Sequence, residues 1–178
     1  NLDYLTAIVG KFLNLGRIER NQLNIHKSAI NMNEEIFVPS ISTLMPLAER
    51  KGMKIINKLT PNLKINADTD LMQIVANNLI SNAIKYGHEN GNIIVSNQDL
   101  NDKVEIDVYN DSEPITAEQK EKLFHRFSRL ETPETKKVKG TGLGLYITKQ
   151  IIEQHGGNIR VEPREKGNSF ILQIEKGL

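Results

Sequence analysis

Apolar positions along this chain recur with two periods, and the switches between them mark out its elements. From residue 2 to about residue 23, Leu2, Leu5, Val9 and Phe12 keep three-four spacing, while Ile8, Leu15 and Ile18 widen the stripe. This predicts a helix too apolar on one face to stand alone. It suits a bundle or coiled coil with a second helix, or packing on its own domain. Residues 24–34 (NIHKSAINMNE) carry little periodicity and read as a linker. Residues 35–39 read as a short strand and 40–51 as a helix with Ile41, Leu44, Leu47 and Ala48 inward; 54–57 and 63–67 read as two more short strands.

The strongest helical pattern spans residues 69–86, with Asp68 or Asp70 able to cap its start. Residues 91–97 and 103–109 read as strands, the second alternating Val104, Ile106 and Val108 against Glu105, Asp107 and Tyr109. A helix follows at 117–127. Residues 130–139 (LETPETKKVK) are polar, aperiodic and contain Pro, and read as a mobile loop. Leu143, Ile147 and Ile151 then recur every four residues in a last helix stopped by Gly156-Gly157, and 159–162 with 169–174 form a hairpin-like pair. Strands interspersed with helices favour an α+β fold, a two-layer sandwich with helices on one face of a mixed sheet, preceded by a long N-terminal helix.

Composition narrows the classes. The 178 residues carry 23 basic and 22 acidic side chains, so no global field points to nucleic acid or to a membrane surface. The absence of cysteine excludes disulfides, thiolate metal sites and a Cys nucleophile. No apolar run approaches the ~18 residues of a transmembrane helix. The chain opens NLDYL, without an initiator Met or a signal peptide, and reads as a soluble fragment of something longer.

Two stretches carry candidate chemistry. In KGTGLGL, Gly140, Gly142 and Gly144 alternate directly before a helix, where close backbone approach and free N–H groups suit a phosphate. The same pattern also serves as an ordinary entry to a buried helix. In the 69–86 helix, Asn78 and Asn82 fall among Leu71, Val75, Leu79 and Tyr86 on the apolar face, and Lys85 follows Asn82 by three residues. Burying an amide without partners costs ~1–3 kcal/mol, so the pair either satisfies neighbouring loops or faces a ligand. An amide oxygen suits a hard cation such as Mg²⁺, and an ammonium suits phosphate.

NNLISNAIKYG (77–87), LFHRF (123–127) and KGTGLGL (139–145), closed by HGGNI, resemble the N, F and G2 boxes of the sensor histidine kinase catalytic and ATP-binding domain. The order and spacing match over residues about 33 to 176. Residues 1–23 are similar to the second helix of the dimerisation and phosphoacceptor hairpin that precedes this domain. The resemblance implies a Bergerat-type fold, with residues 1–32 the end of the hairpin plus linker and 33–178 the catalytic domain. It implies ATP and Mg²⁺ as cofactors, with Asn82 as the metal-coordinating and catalytic asparagine. Lys85 and Arg129 become phosphate contacts in catalysis. Asn78, Tyr86, Asn110 and Ile115 become nucleotide-site residues, with Gly140, Thr141, Gly142, Leu143, Gly144 and Leu145 around the triphosphate. Phe124 and Phe127 fit the F box in a packing or a nucleotide-contact role. Arg129 is alternatively a solvated charge.

The family's G1 box usually reads D-x-G-x-G, with the Asp accepting the adenine amino group. Here Asn110, Asp111, Ser112, Glu113 and Pro114 follow the strand, so the acid is an amide and both glycines are gone. The expected result is weakened, not abolished, nucleotide binding, since the lost charge assistance amounts to about 1 kcal/mol, roughly fivefold. Asp111 could substitute by a local shift; Asp107, by strand parity, could not. Related ATPases of this fold place a Glu one turn before the metal asparagine, where this chain has Asn78, which favours phosphotransfer over hydrolysis. His26, His88, His125 and His155 lack the H-[ED]-x-[RN] context of a phosphoacceptor. The expected partners are a phosphoacceptor helix of the same protein, in a homodimer, and a response regulator receiver domain, in the cytoplasm, with no nucleic acid and no membrane contact. The alternatives are a catalytically silent nucleotide-binding scaffold and another ATPase of the same fold.

Overall fold

The structure, a computed structural model, describes residues 2–20, 23–130 and 138–178. Its centre is a five-stranded mixed sheet. β2 (Lys54–Asn57) runs parallel to β4 (Asn92–Leu100). β5 (Lys103–Asp111), β7 (Gly167–Glu175) and β6 (Asn158–Pro163) continue it antiparallel, in the order β2-β4-β5-β7-β6. The alternation predicted for β5 holds: Val104, Ile106, Val108 and Asn110 are buried, while Glu105, Asp107, Tyr109 and Asp111 are half-buried on the other face. Helix α3 (Thr69–Tyr86) packs on β5, between α2 (Val38–Arg50) and α5 (Gly144–Gln154). The fold is therefore the helix-on-sheet sandwich expected from the periodicities.

The N-terminal helix α1 (Leu2–Glu19) is shorter than the predicted 2–23. Residues 21 and 22 and the side chain of Ile8 lie outside the described residues, and Leu23 is beyond the helix. Its stripe is split: Leu15 and Ile18 are buried in the core as α1 packs on α5, whereas Leu2, Leu5, Val9 and Phe12 stay exposed.

Three local expectations are corrected. Residues 24–34 are not all linker, because β1 (Ser28–Asn31) pairs antiparallel with β3 (Lys64–Ala67), from Ser28 opposite Ala67 to Asn31 opposite Lys64. Pairing, not intrinsic propensity, makes that strand. Residues 35–39 are not a strand: a π-helical segment, Met32–Phe37, leads into α2. The Asn31 side chain accepts from the amides of Asn33 and Glu34, and the Glu35 carboxylate accepts from the Asn31 N–H at 2.5 Å, so a reciprocal cap at the start of the segment overrides the apolar run. Finally, α4 (Ala117–Lys122) ends well before residue 127, after a capping box in which Thr116 and Gln119 exchange hydrogen bonds. In α2, Ile41 and Ala48 are buried and Leu44 half-buried as expected, but Leu47 is exposed. The loop expected at 130–139 lies, over 131–137, outside the described residues.

Candidate functional site

Helix α3 supplies one wall of the site. Its start is fixed by Asp68, whose carboxylate accepts from the Leu71 N–H at 3.1 Å and from the His26 N–H at 2.8 Å. Its end is capped by Lys51, whose ammonium donates to the carbonyls of Ile84 (2.7 Å) and Gly87 (2.8 Å). A cation on the last carbonyls of a helix both satisfies them and complements the helix dipole. Held at both ends, α3 turns Asn82, Lys85 and Tyr86, all half-buried, into a cavity of about 710 Å³. The Asn82 carboxamide has no hydrogen-bond partner among the described residues, so its oxygen is free for a ligand.

The opposite wall is the segment after β5. Asn110 at the end of β5 and Ser112, Glu113, Pro114 and Ile115 after it line the cavity, and Asn168 of β7 pins the segment at Ser112, Glu113 and Ile115. Its amide nitrogen donates to Ser112 Oγ (2.8 Å) and the Glu113 carbonyl (2.9 Å), and its oxygen accepts from the Ile115 N–H (2.8 Å). One buried amide thereby does the holding that tight glycine turns would otherwise do. Asn110 is only 3% exposed and opens onto the cavity. Asp111 is not its substitute: it points to the other face of β5, where its carboxylate accepts from the Asn92 N–H (2.7 Å) and the Tyr109 hydroxyl (2.8 Å). Strand parity turned it away. Burial, together with that neighbouring carboxylate, pushes the Tyr109 phenol up to about 12.

The glycine loop closes the third side. Gly140, Thr141, Gly142, Gly144 and Leu145 line the cavity where α5 begins. The helix has no side-chain cap at its N-terminus, so its first N–H groups remain available to an anion. Gly142 sits at a φ of +71°, a conformation glycine adopts without strain. Leu143 is fully buried and belongs to the core beneath the loop. Asn78 is behind the cavity too: its amide donates to the Gly144 carbonyl at 3.2 Å and to Thr148 Oγ1 at 3.3 Å, clamping the first turn of α5 onto α3. Two core-facing asparagines one turn apart thus divide the work, one joining helices and one facing open space.

Charge in the cavity is predominantly positive around Lys85. Burial, then the proximity of Lys11 and of Arg129, holds the Lys85 ammonium below its ordinary range. Arg129 lines the cavity and its guanidinium donates to the Val138 carbonyl. Phe124 stacks edge-on against Phe170, centroids 6.5 Å apart, while Phe127 is exposed and makes the turn before Arg129 at a φ of +58°. The F box here is packing and turn, with Phe170 rather than either F-box ring on the cavity wall.

Of the residues singled out in the sequence, Asn82, Lys85, Tyr86, Asn110, Ile115, Arg129, Gly140, Thr141, Gly142, Gly144 and Leu145 come together around one cavity, and Asn78 and Leu143 lie behind it. Sequence reasoning missed Lys11, Lys51 and Asn168. Only Asn168 left a signal: it occupies the inward parity of a strand that otherwise reads Phe170, Leu172, Ile174.

Residues 67–178 match the family described as histidine kinase-, DNA gyrase B- and HSP90-like ATPase. The chain belongs to that family and, within it, to the ATP-binding catalytic domains of sensor histidine kinases. The nucleotide-free catalytic domain of histidine kinase ThkA is 34% identical, with a TM-score of 0.76 over 85% of this chain and 97% of that one. Histidine kinase ThkA in complex with response regulator protein TrrA is 30% identical, with a TM-score of 0.72 over 97% of this chain and 50% of that one. Sensor histidine kinase CusS of Escherichia coli (strain K12) is 29% identical over 177 residues, 98% of this chain and 36% of CusS. The chain thus spans about a third of the length of that relative.

Proposed function

We propose that this chain transfers the γ-phosphoryl group of ATP to a histidine on a dimerisation helix, as the catalytic part of a sensor protein-histidine kinase. α1 (Leu2–Glu19) is the C-terminal helix of the phosphoacceptor hairpin, and the catalytic domain begins at β1 (Ser28–Asn31), the partner of β3, rather than at residue 33. The observation that carries this reading is the convergence of Asn82, Lys85, Arg129 and the uncapped start of α5 on one cavity. Backbone amides at a helix start and flanking cations are what a triphosphate needs.

Each residue then has a task. The amides around Gly140, Thr141 and Gly142 cradle phosphate oxygens. Lys85 and Arg129 offset charge on the transferring group. Asn110 accepts from the adenine amino group, with Tyr86, Ile115 and Leu145 as apolar wall. For Mg²⁺ the fit is a single protein ligand, the unengaged oxygen of Asn82. No group of three or more His, Asp or Glu side chains among the described residues could hold a metal by itself. That suits an ion that keeps most of its shell as water and phosphate oxygens. Bound there, Mg²⁺ would neutralise phosphate charge.

Hydrolysis is disfavoured on a specific ground. The residue one turn before Asn82 is an amide that cannot take a proton from water, and its nitrogen is committed to Gly144 and Thr148. In phosphotransfer the acceptor imidazole bonds to the γ-phosphorus as the bridging oxygen leaves with ADP, so no water need be activated. The acceptor hairpin belongs to the same protein, in a homodimer, and a response regulator receiver domain takes the phosphoryl group onward, as the pairing of ThkA with TrrA suggests. No helix among the described residues is long and apolar enough to cross a membrane.

The test is incubation with γ-labelled ATP and Mg²⁺, with and without a separately supplied hairpin carrying a histidine in the H-[ED]-x-[RN] context. Label should appear on the hairpin and not on this chain. Stable label on His26, His88, His125 or His155, or release of phosphate without transfer, contradicts the reading.

A further inference from the structure

Lys11 lies on α1, far outside the 67–178 stretch that carries the family match, yet it lines the same cavity as Lys85 and Arg129. It is half-buried, and no carboxylate pairs with it among the described residues. Burial holds its ammonium below the ordinary lysine range, and its charge acts in turn on Lys85. A cation drawn out of water beside the Lys85 ammonium is unfavourable unless an anion joins them. The contacts that seat α1 are local to it. Leu15 and Ile18 are buried against the catalytic domain, and Glu19 pairs with Arg126, whose guanidinium lies 5.4 Å from the ring centre of Tyr146 on α5. These hold the helix one to two turns from Lys11, on the element that begins at the glycine loop.

We propose that Lys11 is a third cation of the nucleotide site, supplied by α1, so that binding of the polyphosphate and seating of α1 on the catalytic domain stabilise each other. This rests on the nucleotide reading of the cavity. By linkage, whatever strengthens the seating of α1 tightens the nucleotide, and the bound nucleotide holds α1 in place by the same factor. The ligand class is a nucleoside polyphosphate, with the gain growing with the number of phosphates. α1, read above as a helix of the phosphoacceptor hairpin, would then report on an occupied site.

The test is calorimetric titration of the whole chain with adenosine, ADP and a nonhydrolysable ATP analogue, the last two with Mg²⁺. Lys11→Met should weaken the triphosphate about tenfold, the size of a lost hydrogen bond to a charged group, weaken ADP less and leave adenosine unchanged. Lys11→Arg should restore most of the loss. Glu19→Gln, which does not touch the cavity, should weaken the triphosphate in the unmodified chain but add little on top of Lys11→Met. Equal or tighter triphosphate binding in Lys11→Met, or an equal loss for adenosine and triphosphate, overturns this inference while leaving the nucleotide site intact. If the unmodified chain binds none of the three, the reading of the cavity itself falls.

Discussion

Gly142 lies directly on the backbone of Phe127: a Cβ at Gly142 would sit 2.6 Å from the Phe127 carbonyl carbon and 2.9 Å from the Ser128 oxygen. Both residues hold positive φ, +71° and +58°. The glycine loop and the F-box turn are therefore one locked unit, and two boxes far apart in sequence shape each other. Gly144, by contrast, leaves ordinary contact distance to Asn78, and Gly140 faces open space.

Gly142→Ala should therefore cost about 1–3 kcal/mol of stability through left-handed strain and backbone overlap, and should weaken triphosphate binding by displacing the loop. Gly140→Ala should change stability by less than about 0.5 kcal/mol. Urea denaturation with parallel nucleotide titration separates them; equal effects of the two would contradict the packing described.

Asn110→Asp should raise affinity for adenine nucleotides about fivefold, because a charged acceptor strengthens the hydrogen bond to the amino group. Guanine nucleotides, which carry a carbonyl there, should gain nothing. Competition titration measures both, and weaker adenine binding in the variant would remove Asn110 from the adenine contact.

His155 ties the end of α5 to the start of α3. Its Nδ1–H donates to the Ile151 carbonyl at 2.8 Å, and its Nε2 accepts from the Asp68 N–H at 3.2 Å, so the ring is neutral in the folded chain. Burial holds its pKa below the ordinary 6.5, with Lys27 adding to the shift against the Ile151 carbonyl and Asp68. The unfolded chain therefore takes up the proton first. Its contribution to stability is intact above about pH 6.5, declines as pH falls through that value, and is fully lost below the lowered native value. Melting temperature should fall between about pH 7.5 and pH 5.5, and fall less in His155→Gln. Identical slopes in the two proteins would contradict this assignment.

What could be read from the sequence followed period and position. α3 carries a complete apolar stripe and its limits, Thr69–Tyr86, coincide with expectation; those of β2, Lys54–Asn57, do so on two apolar residues alone. β1 and the π-helical segment were illegible because neither comes from periodicity: one exists through pairing with β3, the other through the Asn31 and Glu35 caps. In the site, Asn78 and Asn82 stood out as polar groups on the apolar face of the helix, Lys85 by following Asn82 at three residues, and the glycines by their spacing. Asn78 and Asn82 look alike on a helical wheel, and only the approach of α5 separates a clamp from a ligand group. Lys11 and Lys51 were invisible for the same reason: only tertiary packing brings a lysine of a polar or mixed stretch to the cavity.

The most direct test of the nucleotide site is calorimetric titration of a nonhydrolysable ATP analogue with Mg²⁺ into the chain, beside Asn82→Ala. Micromolar binding that depends on Mg²⁺ and is lost in the variant is the expected result. No heat at high ligand concentration, or binding that Asn82→Ala leaves unchanged, would contradict the account.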